Sequence, residues 1–290
     1  MIMAQKPRAV DETNSAYSEG CGEMAIGNLV IIGGAEDKQG ECRILKYLLG
    51  LTGGPAARLT ILTTATESPD KAAGEYTAVF QRLGAFNINI LNVNDRDEAN
   101  NENISRLVAE STGIFFTGGD QLRITSILGG TKVYTALHEA YGSGAVIAGT
   151  SAGASAMSGT MIVDGNDNDP ARKCTLKMAP GLGLLEEALI DQHFHQRGRI
   201  GRLLCGVAEN PFILGIGIDE DTAVRVYPDR RLEVIGSGSV TIVDGRSIKS
   251  SNVSELMPDE NLAIANVTIH VLPVGYGYNI NSREVLRLHQ

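Results

Sequence analysis

The hydrophobic positions of this chain alternate between two periods. LVII at 29–32 is a short unbroken apolar run, as expected of a strand buried on both faces, and it ends in a Gly-Gly turn. Over 41–51 the period changes: Ile44, Leu45, Leu48 and Leu49 recur at the three- and four-residue spacing that gathers them on one side of a helix. The exchange then repeats. RLTILTTA at 58–65 predicts a strand, 71–83 a helix, INILNV at 88–93 a strand and 104–109 a helix. GIFFTGGDQ at 113–121 predicts a strand running into a glycine loop, followed by helices over 121–128 and 133–141. Strands that alternate with helices imply a mainly parallel sheet covered on both faces, an α/β fold.

Further on, ALIDQHFHQRGRIGRLL at 188–204 predicts a strand entering a helix, and FILGIGIDEDTA at 212–223 another buried strand, ending in Asp219, Glu220 and Asp221. From Val224 the runs shorten to AVRVY, RLEVIG, SVTIVDG and LAIANVTIHVL, with turn signals at Pro228-Asp229 and Asp244-Gly245. This β-rich C-terminal tail is expected to extend or flank the main sheet. Residues 1–27 show no periodic pattern and read as an N-terminal extension without assigned chemistry. Residues 28–290 are expected to form a single α/β domain.

Composition narrows the function classes. An apolar fraction of 43% over 290 residues supplies a large core. A net charge of −9 excludes a general nucleic-acid binder, and no apolar run approaches the ~20 residues that span a bilayer, so neither partner is expected. Cys21, Cys42, Cys174 and Cys205 form no C-x-x-C pair, and the N-terminus does not read as a signal peptide, so a reducing cytoplasmic setting is expected.

The chemistry centres on AVIAGTSAGASAMS at 145–158. Gly149, Ser151 and Gly153 give G-x-S-x-G, the pattern that lifts a serine hydroxyl out of a sheet on a tight strand-to-helix turn. Ligands of open α/β sheets bind where loops leave the carboxyl ends of strands, which makes the Gly33-Gly34 and Gly118-Gly119 loops candidates. The first lacks dinucleotide spacing and carries acids where a pyrophosphate would lie. The second predicts an oxyanion hole built from the Gly119 and Ala152 N–H groups. A serine also needs a base and a group to orient it. His193 and Glu220, at or just beyond strand ends, are the best candidates, with His195 as competing base and Asp169 or Asp219 as competing acid. The order serine, histidine, acid differs from that of the α/β-hydrolases. The acidic loop DGNDNDP at 164–170 fails the calcium-loop pattern, and His193 and His195 lack a convincing third ligand, so neither metal nor cofactor is expected.

Four motifs in this order, FTGGDQLRITSILGGT, GTSAGASAMS, DQHFHQRGRIGRL and GIDEDTA, resemble the cyanophycinases, relatives of aspartyl dipeptidase (peptidase E), over about Asn28 to the C-terminus. The resemblance implies a three-layer α/β sandwich like that of class I glutamine amidotransferases. It also implies a homodimer and a serine exopeptidase releasing β-Asp-Arg dipeptides from cyanophycin, a poly-aspartate with arginine on each β-carboxyl. By motif, Ser151 is the nucleophile, His193 the base and Glu220 its orienting acid, while Gln121, Asp191, Gln192, Arg197, Arg199 and Arg202 match the substrate pocket. The substrate's paired charges suit this set. The three arginines can fork onto carboxylates, and Asp191 with the Gln121 or Gln192 amide can meet guanidinium and backbone groups. Two alternatives remain: a dipeptidase for α-linked Asp-Xaa, and a non-catalytic peptide-binding protein on the same scaffold.

Overall fold

The computed structural model describes residues 26–173 and 176–288; the expectations for Cys21, Cys174 and most of the 1–27 extension lie outside them. Five strands build the parallel core: β1 (Leu29–Ile32), β2 (Arg58–Leu62), β3 (Asn87–Leu91), β4 (Gly113–Phe116) and β5 (Val146–Thr150). Between and after them run α1 (Arg43–Leu51), α2 (Pro69–Arg82), α3 (Arg96–Ala99), α4 (Glu102–Ala109), α5 (Gln121–Leu128), α6 (Lys132–Gly142) and α7 (Ala152–Ser155). The second half adds β6 (Thr160–Gly165), β7 (Leu176–Pro180), β8 (Ala188–Gln192), α8 (Ile200–Glu209), β9 (Leu214–Ile218), β10 (Thr222–Val226), β11 (Arg231–Gly236) and β12 (Ser239–Asp244). Short strands β13 (Ser250–Ser251) and β14 (Ile264–Ala265) precede β15 (Thr268–Pro273), β16 (Tyr276–Asn279) and β17 (Glu284–Arg287).

The main sheet has the order β17-β16-β11-β10-β1-β5-β4-β2-β3. β1 to β5 pair in parallel, and β10, β11, β16 and β17 continue the sheet antiparallel from β1, so part of the β-rich tail extends the main sheet. Alternation sorts the strand residues onto two cores. Val30 and Ile32 pack with Leu45, Leu48 and Phe80 under α1 and α2, whereas Leu29 and Ile31 join Ile124, Leu137 and Met157 on the opposite face. With the sheet between them, these two helical layers make the three layers expected.

A second sheet, β15-β12-β9-β8, stands beside the first. The break between the two sheets falls at the acidic end of FILGIGIDEDTA, and AVRVY lies largely in the next strand, β10. β9 ends at Ile218 in the smaller sheet, and the chain crosses through Asp219, Glu220 and Asp221 to start β10 in the larger sheet. The crossing bends at Asp221, whose φ of 46° lies in the left-handed region. The strand before the crossing is fully buried and the one after it is buried except at Arg225. α3 has only four residues, too few to show a period, and is set by Asp95, whose carboxylate accepts from the Glu98 N–H.

Register determines which loops meet. Ile32 of β1 pairs with Thr150 of β5, and Phe116 of β4 with Gly149, so the loops after these strands leave side by side. In the smaller sheet Gln192 pairs with Ile218, which brings the loops after β8 and β9 together. Ser151 N binds Ile32 O (3.0 Å) within the first set, and the two sets interlock through backbone bonds from His193 N to Gly33 O (2.8 Å) and Asp221 N to Gly34 O (2.9 Å).

Candidate active site

Ser151 sits between β5 and α7 with φ 52° and ψ −111°, a sparsely populated conformation for a residue with a side chain, costing about 1–3 kcal/mol. The turn is held from both ends. Its N–H is bound by Ile32 O, and its carbonyl accepts from Ala154 N (3.0 Å) and Ser155 N (3.1 Å). The flanking glycines answer a packing demand: a Cβ on Gly149 would lie 2.5 Å from Gly153 O, and one on Gly153 2.6 Å from Phe116 O. The tight turn therefore holds helix against strand and leaves the hydroxyl on the outer side.

That hydroxyl is 3.0 Å from Nε2 of His193, and the other ring nitrogen, Nδ1, is 2.6 Å from Oε1 of Glu220. A proton on Nδ1 satisfies both contacts, with Ser151 donating to Nε2 and Nδ1 donating to the carboxylate. His193 itself has φ 47°, and its ring lies so close over the first glycine loop that a Cβ on Gly34 would be 2.4 Å from Cε1 and 2.5 Å from Nε2. Burial pulls the imidazole pKa below its usual value. The Glu220 hydrogen bond opposes that shift, and the charges of Arg197 and Arg199 reinforce it. The ring is therefore neutral at pH 7 and able to accept the serine proton.

The competing groups are occupied elsewhere. His195 is exposed and donates its backbone N–H to Asp219 Oδ1 (3.1 Å), while Asp219 Oδ2 accepts from Ser239 N and Oγ (3.1 and 2.8 Å). Asp169 accepts from the Asn166 amide in the loop between β6 and β7. Among the described residues no group of three His, Cys, Asp or Glu side chains is placed to hold a metal.

Gly118 lies against the serine, where an added Cβ would stand 3.4 Å from Ser151 Cβ. Gly119 follows with φ 144° and would drive a Cβ to 2.1 Å from Ala65 O. Ala152 is the first residue of α7, where an amide has no partner in its own helix. Neither the Gly119 nor the Ala152 N–H donates to another described residue, as an oxyanion hole requires.

The charged cluster is divided in a way its sequence density does not show. Asp191 is fully buried, and Arg199 and Arg202 are buried with it. Arg202 Nε donates to Asp191 Oδ2 (2.7 Å) and its Nη2 to Oδ1, while Arg199 Nη1 donates to the Gln192 carbonyl (2.7 Å) and its Nε to Asp167 (2.7 Å). These two arginines are thus engaged in an internal network, where the sequence reading has them fork onto substrate carboxylates. Asp191 likewise has its carboxylate engaged within the network. Arg197 is different: it is exposed, makes no ion pair with any described residue, and lies close enough to His193 for its charge to act on the ring. Gln192 links the network to the reaction centre, its Oε1 3.4 Å from Ser151 Oγ and 3.1 Å from Arg199 Nη1. Gln121 donates its amide to the Ile162 and Val163 carbonyls (2.8 and 2.9 Å), leaving only its oxygen to meet a ligand.

One set of residues was missed. A cavity of about 240 Å³ adjoins Ser151 and His193 and is lined by Glu36, Lys38, Glu75, Tyr76 and Thr150. Its signal in the sequence was the run of charges directly after Gly33-Gly34, which excludes a phosphate site and is consistent with a site for a cation.

With this geometry in view, the chain compares with known proteins as follows. The model of the family described as Peptidase family S51 matches residues 29–234. A cyanophycinase of Nostoc sp. is 38% identical over 259 residues, covering 89% of this chain and 87% of that protein. The cyanophycinase of Geminocystis herdmanii is 38% identical over 253 residues, covering 87% and 93%. Among solved structures, a peptidase from an acI-B1 Actinobacterium superposes with a TM-score of 0.63 at 21% identity, covering 92% of this chain and 98% of that one, a likeness of fold.

Proposed function

The chain belongs to peptidase family S51, and from that premise we propose that it is a serine-type exopeptidase that hydrolyses cyanophycin to β-Asp-Arg dipeptides. The observation that carries the reading is the continuous relay from Ser151 through His193 to Glu220, at 3.0 and 2.6 Å, in a chain 38% identical to cyanophycinases over most of its length.

In this reading Ser151 Oγ attacks a backbone carbonyl of the poly-aspartate and passes its proton to His193 Nε2. Glu220 orients the ring and stabilises the imidazolium as it forms. The Gly119 and Ala152 amides receive the developing oxyanion. His193 then protonates the departing amine, and water, deprotonated by the same ring, releases the acyl group from Ser151. Arg197 is the cation available to a substrate carboxylate. Gln121 offers a carbonyl oxygen, and Gln192 places its amide beside the nucleophile. The buried Asp191, Arg199 and Arg202 hold Gln192 in place from behind.

The proposal also treats residues 28–290 as one domain, supported by the pairing of β1 with both β5 and the late strand β10. A cytoplasmic homodimer completes it. The exposed Ile269 and Val271 on the edge strand β15 are consistent with a covered face. Mass spectrometry of products from purified cyanophycin tests the activity: β-Asp-Arg dipeptides are expected from the protein and none from Ser151→Ala. Free arginine as product, or an intact polymer alongside cleavage of α-linked Asp-Xaa dipeptides, would overturn it.

A further inference from the structure

We propose that the cavity beside Ser151 is a guanidinium subsite, in which Glu75 is the carboxylate offered to the ligand and Lys38 is a resident cation that the ligand displaces. For its substrate the proposal rests on the peptidase reading above; for its chemistry it rests on the residues of the cavity.

Glu36 is the fixed wall. Its side chain is almost wholly buried, Tyr76 OH donates to Oε1 at 2.5 Å, and Thr150 Oγ1 donates to Oε2 at 2.6 Å. Thr150 immediately precedes Ser151, so this carboxylate is anchored next to the nucleophile. Glu75, on α2, is half exposed and has no hydrogen bond to any described residue. The Lys38 ammonium lies 3.9 Å from Glu36 and 3.9 Å from Glu75, and 4.6 Å from the centre of the Tyr76 ring. At 3.9 Å it is hydrogen-bonded to neither carboxylate. Two carboxylates and an aromatic face thus surround a cation that only partly satisfies them, and the cavity carries one more negative than positive charge.

A guanidinium suits this place better than an ammonium. It is planar, forks onto a carboxylate, stacks on an aromatic ring and is less strongly hydrated. Lys38 reaches the cavity on a flexible, partly exposed stem, so it can withdraw to solvent when a second cation enters. A substrate carboxylate would meet repulsion here, and Arg197, outside this cavity, takes that role. The two ends of the site thus differ in sign, which orients a substrate that carries a guanidinium and a carboxylate in each repeat.

The test compares an oligomer of β-Asp-Arg with its β-Asp-citrulline counterpart, in which a neutral urea of the same shape replaces the guanidinium. Binding is measured calorimetrically on Ser151→Ala protein, and the ratio of kcat/KM for the two oligomers on active protein. A hydrogen bond to a charged group corresponds to about 10- to 150-fold, so the arginyl oligomer should be preferred at least about 10-fold, and Glu75→Gln should remove most of that preference. Lys38→Met removes the competitor and should increase it. A preference unmoved by Glu75→Gln, or lowered by Lys38→Met, overturns the proposal. If the polymer is left whole while the Ser151→Ala protein still prefers the arginyl oligomer through Glu75, the subsite stands and the hydrolysis reading fails.

Discussion

Removing the Asp191 carboxylate should damage the fold before it damages recognition. In Asp191→Ala the buried guanidinium of Arg202 loses two hydrogen bonds to the carboxylate, and Arg199 loses its nearest buried anion. What remains for both is Asp167, 2.7 Å from Arg199 Nε and 3.7 Å from Arg202 Nη1. Breaking a buried ion pair from one side costs about 3–5 kcal/mol, because the surviving charge stays desolvated. Asp167 is partly exposed and offsets some of this, which puts the expected loss near the lower end, about 3 kcal/mol. For a chain of this size that corresponds to a fall in Tm of about 6–12 °C. Scanning calorimetry and urea midpoints measure it directly. Arg202→Ala should fall in the same direction and should lose cleavage of cyanophycin and of a small reporter ester together. Arg197→Ala is the contrast: exposed and without an ion pair to any described residue, it should melt within about 0.5 kcal/mol of the parent. Its kcat/KM on cyanophycin should nevertheless fall about 10- to 150-fold, with the ester spared. If Asp191→Ala and Arg202→Ala melt with the parent protein, the network is not structural and the division of the arginines is wrong.

Three further outcomes follow from the reaction centre. Because burial lowers the His193 pKa and the neutral ring is the base, kcat/KM should be on its plateau above the ordinary histidine value of about 6.5 and fall only on the acid side, as the ring takes up a proton. Glu220→Gln removes the largest influence raising that pKa, so the acid limb should move further down while the rate drops, by about 10⁴ if it behaves as the aspartate of other serine triads; a limb that stays in place would assign the orienting role elsewhere. Gly34→Ala should push the His193 ring off the serine, since the new methyl would lie 2.4 Å from Cε1, and a displacement of that kind costs about 10²-fold in kcat/KM. Unchanged turnover and unchanged labelling of Ser151 by a fluorophosphonate would contradict this.

Legibility in the sequence followed the physics of each feature. Alternating periods marked the parallel strands and their helices because burial imposes them, and the predicted 121–128 helix matches α5 residue for residue, beginning after an Asp120 cap that accepts from Leu122 and Arg123. G-x-S-x-G was legible because its glycines answer a steric demand that only glycine meets. The choice among His193, His195, Asp169, Asp219 and Glu220 was not legible from spacing, since it depends on which strand ends a second sheet brings across to Ser151. Nor could the residues say which two of three arginines within six positions face inward. A guanidinium reads the same in a cleft and in an interior, and only the tertiary partner, Asp191, distinguishes them. The Glu36 cavity was hidden for a related reason, its walls coming from the loop after β1, from α2 and from the end of β5.

The reaction centre straddles two sheets, with Ser151 at the end of a strand of the larger and His193 and Glu220 beyond strands of the smaller. The order of synthesis then matters. In a chain still emerging from the ribosome Ser151 is made before residues 193 and 220, so the candidate relay cannot form until β8 and β9 have docked and the backbone bonds at Gly33 and Gly34 have closed. The joint between the sheets is therefore part of the candidate site itself: a shift of the smaller sheet against the larger would part His193 and Glu220 from Ser151 while leaving each sheet intact.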